Sequence, residues 1–201
     1  MEPVILETAR LTVRPLTGDD LDAITAACQD EAIQRWIPVP TPYTREDARV
    51  FVEEVCADGW RDETLFNLGT FTRDGGELVS SIGLHQGLTR PKGIVEIGYW
   101  TAPKQRGRGY TAEAATAMCR WAFETLGAHR MEWLAAVGND GSWAVARKVG
   151  FTMEGTLRSR MDLRGAKVDA WLGSLLPSDL PSTAPSTAPS TPPSPLPTAL
   201  G

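Results

Sequence analysis

The stretch Lys104-Gln105-Arg106-Gly107-Arg108-Gly109-Tyr110-Thr111-Ala112-Glu113 joins closely spaced cations and glycines to the start of a helical pattern. Glycine lets a backbone turn successive N–H groups toward one point, and a helix N-terminus adds a partial positive charge. Together they make an anion cradle suited to a pyrophosphate, with Arg106 and Arg108 able to add charge at its rim. An ordinary exposed turn has the same composition, so context must decide. Two familiar cradles are excluded by spacing. No Gly-Lys-Ser/Thr follows, as a P-loop needs, and the third glycine and downstream acidic residue of a dinucleotide fingerprint are missing.

The remaining reactive residue types are sparse. Cys28, Cys56 and Cys119 are odd in number, widely spaced and set in amphipathic stretches, so they read as buried thiols with no disulfide or metal role. The net charge of −5 argues against a nucleic-acid partner. No run approaches the roughly 20 apolar residues of a membrane span, and the chain starts with no basic leader or apolar signal segment. The expectation is a cytoplasmic protein with no membrane partner.

The elements that must position the cradle follow from periodicity. Thr8 to Leu16 alternates as a strand. Thr17-Gly18-Asp19-Asp20 opens a helix expected to run to about Asp30, with Leu21, Ile24 and Cys28 as its apolar stripe. Pro38, Pro40 and Pro42 interrupt it, and a second helix starts at Thr44, where Asp47 completes a capping box. Leu65–Thr72 and Glu77–Gln86 flank the turn Arg73-Asp74-Gly75-Gly76 as a hairpin. Ile94–Trp100 is a strand leading into the cradle, Thr111 to about Leu126 a helix, and Arg130–Val137 a strand. Asn139-Asp140-Gly141-Ser142 opens a short helix ending at Gly150. Phe151–Leu163 and Ala166–Leu175 form a last hairpin around Arg164-Gly165.

This order predicts an α+β, or mixed α/β, fold: a mostly antiparallel sheet of about seven strands flanked by four helices, with one strand–helix–strand crossover. The domain is expected to occupy residues 1–176. Of the 15 prolines, 8 lie in 177–201, a Pro/Ser/Thr/Ala-rich tail with one charged residue that is expected to stay extended and disordered.

Several of these segments carry a resemblance. Glu96-Ile97-Gly98-Tyr99-Trp100, Arg106 through Ala114, Asn139 with Ser142, Lys148-Val149-Gly150-Phe151 and Glu154-Gly155 resemble, in order and spacing, the GNAT acyltransferases, and most nearly their RimJ/RimL-like branch of ribosomal-protein N-terminal acetyltransferases. The likeness runs from Leu6 to about Leu175. It implies the acyl-CoA N-acyltransferase fold, acetyl-CoA as co-substrate without a metal, and a possible homodimer. The acetyl-CoA would lie in a V between the strands at Ile94–Trp100 and Arg130–Val137, with its pyrophosphate on Arg106–Thr111. Two positions depart from the superfamily pattern. Thr111 stands where glycine or alanine is usual, its hydroxyl free to cap the helix or touch a phosphate. Ala146 stands where many members carry a proton-donating tyrosine, and the branch instead places a serine at Ser142.

The implied reaction is acetyl transfer to a primary amine, of a protein N-terminus or a small molecule, by direct attack and with no acyl-enzyme. The amine must be neutral, so a base is needed. Glu96 is the first candidate, since partial burial would raise its pKa. His85 follows, and Asp162 is weaker. Glu96 also reads as a strand ion-pair partner, His85 as structural, and Ser142 as a helix-start residue. Gly98 or Tyr99 would offer a backbone N–H to the oxyanion. Gly98, Tyr99, Trp100, Thr101, Arg106, Gly107, Arg108, Gly109, Tyr110, Thr111, Asn139 and Ser142 are the expected cofactor contacts, although Asn139 could simply start its helix. Trp36, Pro38 and Tyr43, with Phe66 and His85, are expected to line the acceptor pocket. Two rival classes remain at this point: a non-catalytic acyl-CoA-binding sensor, and a nucleotide-binding regulator using the same loop.

Overall fold

The structure is a computed structural model that describes residues 1–85 and 92–180. Gln86, the expected end of a strand, and the segment 181–201, most of the expected tail, lie outside the described residues.

One sheet of eight strands organises the chain, in the order β1-β2-β3-β4-β5-β6-β8-β7. These are β1 (Leu6–Glu7), β2 (Leu11–Arg14), β3 (Leu65–Thr72), β4 (Leu78–His85), β5 (Ile94–Thr101), β6 (Arg130–Ala136), β7 (Thr152–Leu163) and β8 (Ala166–Leu175). All neighbours are antiparallel except β5 and β6, which run parallel because the helix between them returns the chain to its starting edge. The strand beyond the expected set is β1, whose two residues are too short to show alternation. In β2 the alternation is plain: Leu11 and Val13 are fully buried while Thr12 and Arg14 are half-buried.

Before β3 come α1 (Leu21–Cys28), α2 (Glu31–Trp36), α3 (Arg45–Val50), a π-helical stretch Phe51–Cys56 and α4 (Ala57–Arg61). The first helix ends at Cys28, short of the expected end at about Asp30, because the Asp30 carboxylate accepts from Ile33 N and starts α2 anew. Thr44 and Asp47 form the expected capping box on α3. The crossover helix is α5 (Tyr110–Glu124), and α6 (Asp140–Val149) follows β6 and stops at Gly150, whose φ of 115° closes the helix in the left-handed region.

The sheet separates two cores. On one face Ala114, Ala115, Met118, Cys119, Trp121 and Ala122 of α5 pack on Val95, Ile97, Met131 and Trp133. Trp60, Phe66 and Trp121 meet there with centroids 4.8 to 5.8 Å apart. On the other face Leu21, Ile24, Cys28, Ile33, Ala48, Val52 and Cys56 cover Leu16 and Phe71. The cysteines are buried and unbridged, and burial pushes the Cys28 and Cys56 thiols up to about 12. The packed domain continues beyond β8, where Pro177–Asp179 make a 3₁₀ turn and Leu180 packs on the α5 core. Among the described residues, no helix is long and apolar enough to cross a membrane.

The feature that matters for function is where the sheet comes apart. The pairing of β5 with β6 runs from Ile94↔Arg130 to Ile97↔Trp133 and stops. Beyond it β5 stays with β4 and β6 stays with β8, so a V opens in the middle of the sheet. The facing edges, Gly98–Thr101 and Leu134–Ala136, carry backbone N–H and C=O groups with no strand between them.

Candidate active site

The V leads into a cleft of about 610 Å³ lined by the end of β5, the loop before α5, the first turn of α5, residues along the length of α6, and α2. Of the expected contacts, the structure brings Tyr99, Trp100, Thr101, Arg106, Gly107, Gly109, Tyr110, Thr111, Asn139, Ser142 and Trp36 to its walls.

The cradle forms as glycine chemistry requires. Gly107 and Gly109 both have φ of 76°, a region other residues avoid. Gly109 is the N-cap of α5, and having no side chain it leaves the first N–H groups uncapped, with the helix dipole behind them. Lys148 of α6 reaches the same point: a Cβ on Gly109 would lie 2.7 Å from its Nζ. Lys148 lines the cleft, and no ion pair holds it among the described residues. It is the cation the sequence reading missed. Its place in Lys148-Val149-Gly150-Phe151 was visible, but not that α6 lies across the loop.

The arginines behave differently from expectation. Arg106 lines the cleft, yet its guanidinium is paired with Asp30 at 2.6 Å and its Nε donates to Thr101 O. Arg108 is absent from the lining; its carbonyl accepts from Arg10. Arg10 also lies 4.5 Å from the Tyr110 ring centroid and bonds Glu113, which neutralises the one acidic side chain in the first turn of α5. Burial opposes ionisation of Glu113, but bonds from Thr8 and Arg10 outweigh it and hold its carboxyl below the usual range. Thr111 does not point at the cradle: its hydroxyl is bonded to Thr101 Oγ1 at 2.7 Å.

Gln105 also enters the wall. Its Nε2 donates to Glu77, while its buried Oε1 has no partner among the described residues.

Opposite the cradle, Asn139 and Ser142 divide the roles that composition left open. Asn139 is the N-cap of α6, its Oδ1 accepting from Ser142 N at 3.2 Å. Ser142 therefore does not cap. Its Oγ accepts from Trp133 Nε1 at 2.9 Å, and its carbonyl accepts from the Tyr99 hydroxyl at 2.9 Å. Burial pushes the Tyr99 phenol above its ordinary range, so it stays protonated. Trp36 of α2 closes the cleft near Gly138, from whose Cβ position its Cη2 would stand 3.9 Å away.

Glu96 and His85 sit outside the cleft lining, at the still-paired apex of the V. They are direct partners across β4 and β5, on the face opposite Val95 and Ile97. Glu96 is half-buried, and Glu132 is its register partner on β6. Gly98 lies on the same face outside the lining, with a Cβ position 3.5 Å from His85 Nε2. Arg130 bonds Glu132 and clamps Glu154, which also accepts from Ser174, so the Glu154 carboxyl falls to about 2. This face therefore carries three carboxylates, an arginine and an imidazole.

Two acceptor-wall expectations fail on burial. Phe66 is 1% exposed on the α5 side of β3, edge-to-face with Trp60 and Trp121. Tyr43 is buried in the other core among residues of α1, α3 and the π-helical stretch, which pushes its phenol up. Asp162 is exposed and paired with Lys167 across the β7–β8 hairpin. Beyond the lining, that hairpin's tip reaches back to the segment around α2, where Arg164 donates to the carbonyls of Gln34 and Val39.

Comparisons agree with this architecture. Residues 10–152 match the family model described as the acetyltransferase (GNAT) domain. The chain is 28% identical over 172 residues to the uncharacterized N-acetyltransferase YoaA of Bacillus subtilis, covering 86% of this chain and 96% of YoaA. Mycobacterium smegmatis RimJ, solved with CoA-disulfide, superposes with a TM-score of 0.78 at 20% identity, over 90% of this chain and 93% of RimJ. RimL, a ribosomal L7/L12 α-N-protein acetyltransferase solved with coenzyme A, gives 0.75 at 19% identity over 86% and 98%. The opened sheet, the glycine cradle at its mouth and the matched domain together make this chain a member of the GNAT acetyltransferase family.

Proposed function

We propose that the protein transfers acetyl from acetyl-CoA to a primary amine, a protein N-terminal α-amine or a small-molecule amine, by direct attack of the amine on the thioester. The observation that carries this reading is the alignment of two binding surfaces along one cleft. At its mouth the Gly109 cradle, the α5 N-terminus and Lys148 suit a pyrophosphate. Within the V, the unpaired edges of β5 and β6 suit an extended chain bearing amides. An acyl-CoA has these two parts in this order, and RimJ and RimL were solved with CoA.

The surroundings of the candidate nucleophiles support direct attack. The three cysteines are buried in the cores. Ser142 has an indole N–H and a phenol beside it, neither of which can take its proton as a base. Glu96 takes a proton from the amine, directly or through water, from the apex of the V. The oxyanion meets backbone N–H on the free edge of β5, and Ser142 returns a proton to the departing sulfur. The acceptor enters over the face that carries Glu96, Glu132 and Glu154, whose charge favours a cationic amine.

The test is incubation with acetyl-CoA and a panel of amines, including peptides with Ser or Ala at the N-terminus, read by thiol release. Turnover with at least one amine and no acetyl-protein adduct is the expected result. CoA binding without release of thiol for any amine would leave the protein as an acyl-CoA-binding module.

A further inference from the structure

We infer that Trp133 is a positioning residue for the thiol-releasing half of the reaction, because its indole N–H sets the Ser142 hydroxyl as a donor into the cleft. The inference rests on the reading of the cleft as a thioester site. Trp133 is 1% exposed and occupies the last position of β6 that pairs with β5, where the V begins. Its ring lies 5.4 Å from that of Trp143, and its Nε1 donates to Ser142 Oγ at 2.9 Å.

An indole nitrogen can only donate, so this bond occupies a lone pair of Oγ and the hydroxyl proton must go elsewhere. Ser142 is spared from capping α6 because Asn139 does that work. The other partner of the Ser142 hydroxyl among the described residues is Tyr99 Oη at 3.5 Å, the outer limit of a hydrogen bond. The proton of Tyr99 is already committed to Ser142 O. The Ser142 proton is thus held loosely, on a side chain that lines the cleft.

The step balances as follows. When the tetrahedral adduct collapses, the C–S bond breaks and its electron pair stays on sulfur. Ser142 Oγ gives its proton to that sulfur, and the charge developing on Oγ faces the Trp133 N–H. The proton lost by the amine, passed through Glu96 and solvent, then restores the hydroxyl. Ala146, one turn further along α6, has no proton to give, so Ser142 is the α6 side chain that supplies it, oriented from β6 by Trp133.

The experiment is a double-mutant cycle with Trp133→Phe and Ser142→Ala, read as kcat and both KM values. Ser142→Ala, which removes the proton donor, is expected to lower kcat about 10²-fold, and Trp133→Phe, which only misaligns it, about tenfold, each with KM values within about twofold. Combining them is expected to be no slower than Ser142→Ala alone. An equal further loss in the double variant overturns the proposal, since the ring would then act only through packing. Full activity of Ser142→Ala overturns both this proposal and the acid role of Ser142. The indole ¹H–¹⁵N resonance of Trp133 in the unaltered protein gives a second arm that needs neither turnover nor the Phe variant. It is expected to move with CoA and to stay with desulfo-CoA; the same response to both overturns the proposal even where acetyl transfer is demonstrated.

Discussion

Arg106 and Asp30 form a bidentate ion pair, Nη2 to Oδ1 at 2.6 Å and Nη1 to Oδ2 at 3.3 Å, across 76 residues of sequence. The same carboxylate accepts from Ile33 N and starts α2. The Arg106 bonds hold the Asp30 carboxyl below its ordinary range, so the pair is fully charged at neutral pH. Arg106 is therefore a strut between the glycine loop and the α2 wall, which contributes Ala32, Ile33 and Trp36 to the cleft.

Asp30→Ala removes the strut and the α2 cap together. The cap alone is worth about 1 kcal/mol, a small loss for a domain of this size. The acceptor KM is expected to rise several-fold while CoA affinity by calorimetry stays within about twofold. Arg106→Ala should have the same signature. A large loss of CoA affinity in Arg106→Ala would instead make that guanidinium a phosphate ligand.

At Gly109 backbone and charge meet. A side chain there must adopt φ of 76°, and its Cβ would stand 2.7 Å from Lys148 Nζ. Gly109→Trp is expected to abolish CoA binding by calorimetry; unchanged affinity would remove the loop from the cofactor site. Lys148→Ala tests the charge separately. A charge-assisted bond to phosphate is worth about 1.5–3 kcal/mol, so CoA affinity should fall about tenfold or more, with a weaker dependence on salt.

The Arg130–Glu154 pair predicts a pH effect on stability. The Glu154 carboxyl lies at about 2 in the fold against an ordinary 4.5. A depressed carboxyl stabilises the fold fully above its unfolded value, and that contribution is lost as pH falls from about 4.5 toward 2. Because Glu154 is 38% exposed, screening keeps the effect to about 1 kcal/mol or less. The Tm difference between the parent and Glu154→Gln should shrink between pH 5 and pH 2. A constant difference would assign the effect to packing.

The legible parts of this molecule are those that local chemistry dictates. The strand expected at Ile94–Trp100 forms as Ile94–Thr101, the helix expected from Thr111 to about Leu126 forms as Tyr110–Glu124, and the glycines at 107 and 109 take the positive φ that a tight turn needs, since each pattern constrains its own backbone. The misplacements involve relations between elements. Phe66 is an ordinary strand aromatic, and only the packing of Trp121 against it decides which face it takes. Arg106 reads as a free cation until α2, too short to announce itself, brings Asp30 to it. Trp133 carries no signal of its own within the strand expected at Arg130–Val137, and its N–H finds Ser142 only because α6 packs beside β6.

The proposed base role of Glu96 can be tested directly. It stands beside His85 at the apex of the V, two residues before the free edge of β5. Glu96→Gln keeps the side-chain shape and removes the base, so CoA affinity should be unchanged. General-base catalysis contributes about 10²–10⁴-fold, and kcat is expected to fall by at least the lower figure. The acidic limb of the pH–rate profile, where a base is lost by protonation, should vanish in the variant. A Glu96→Gln enzyme that keeps the parent's limb would transfer the role to His85, whose replacement by Gln should then remove it.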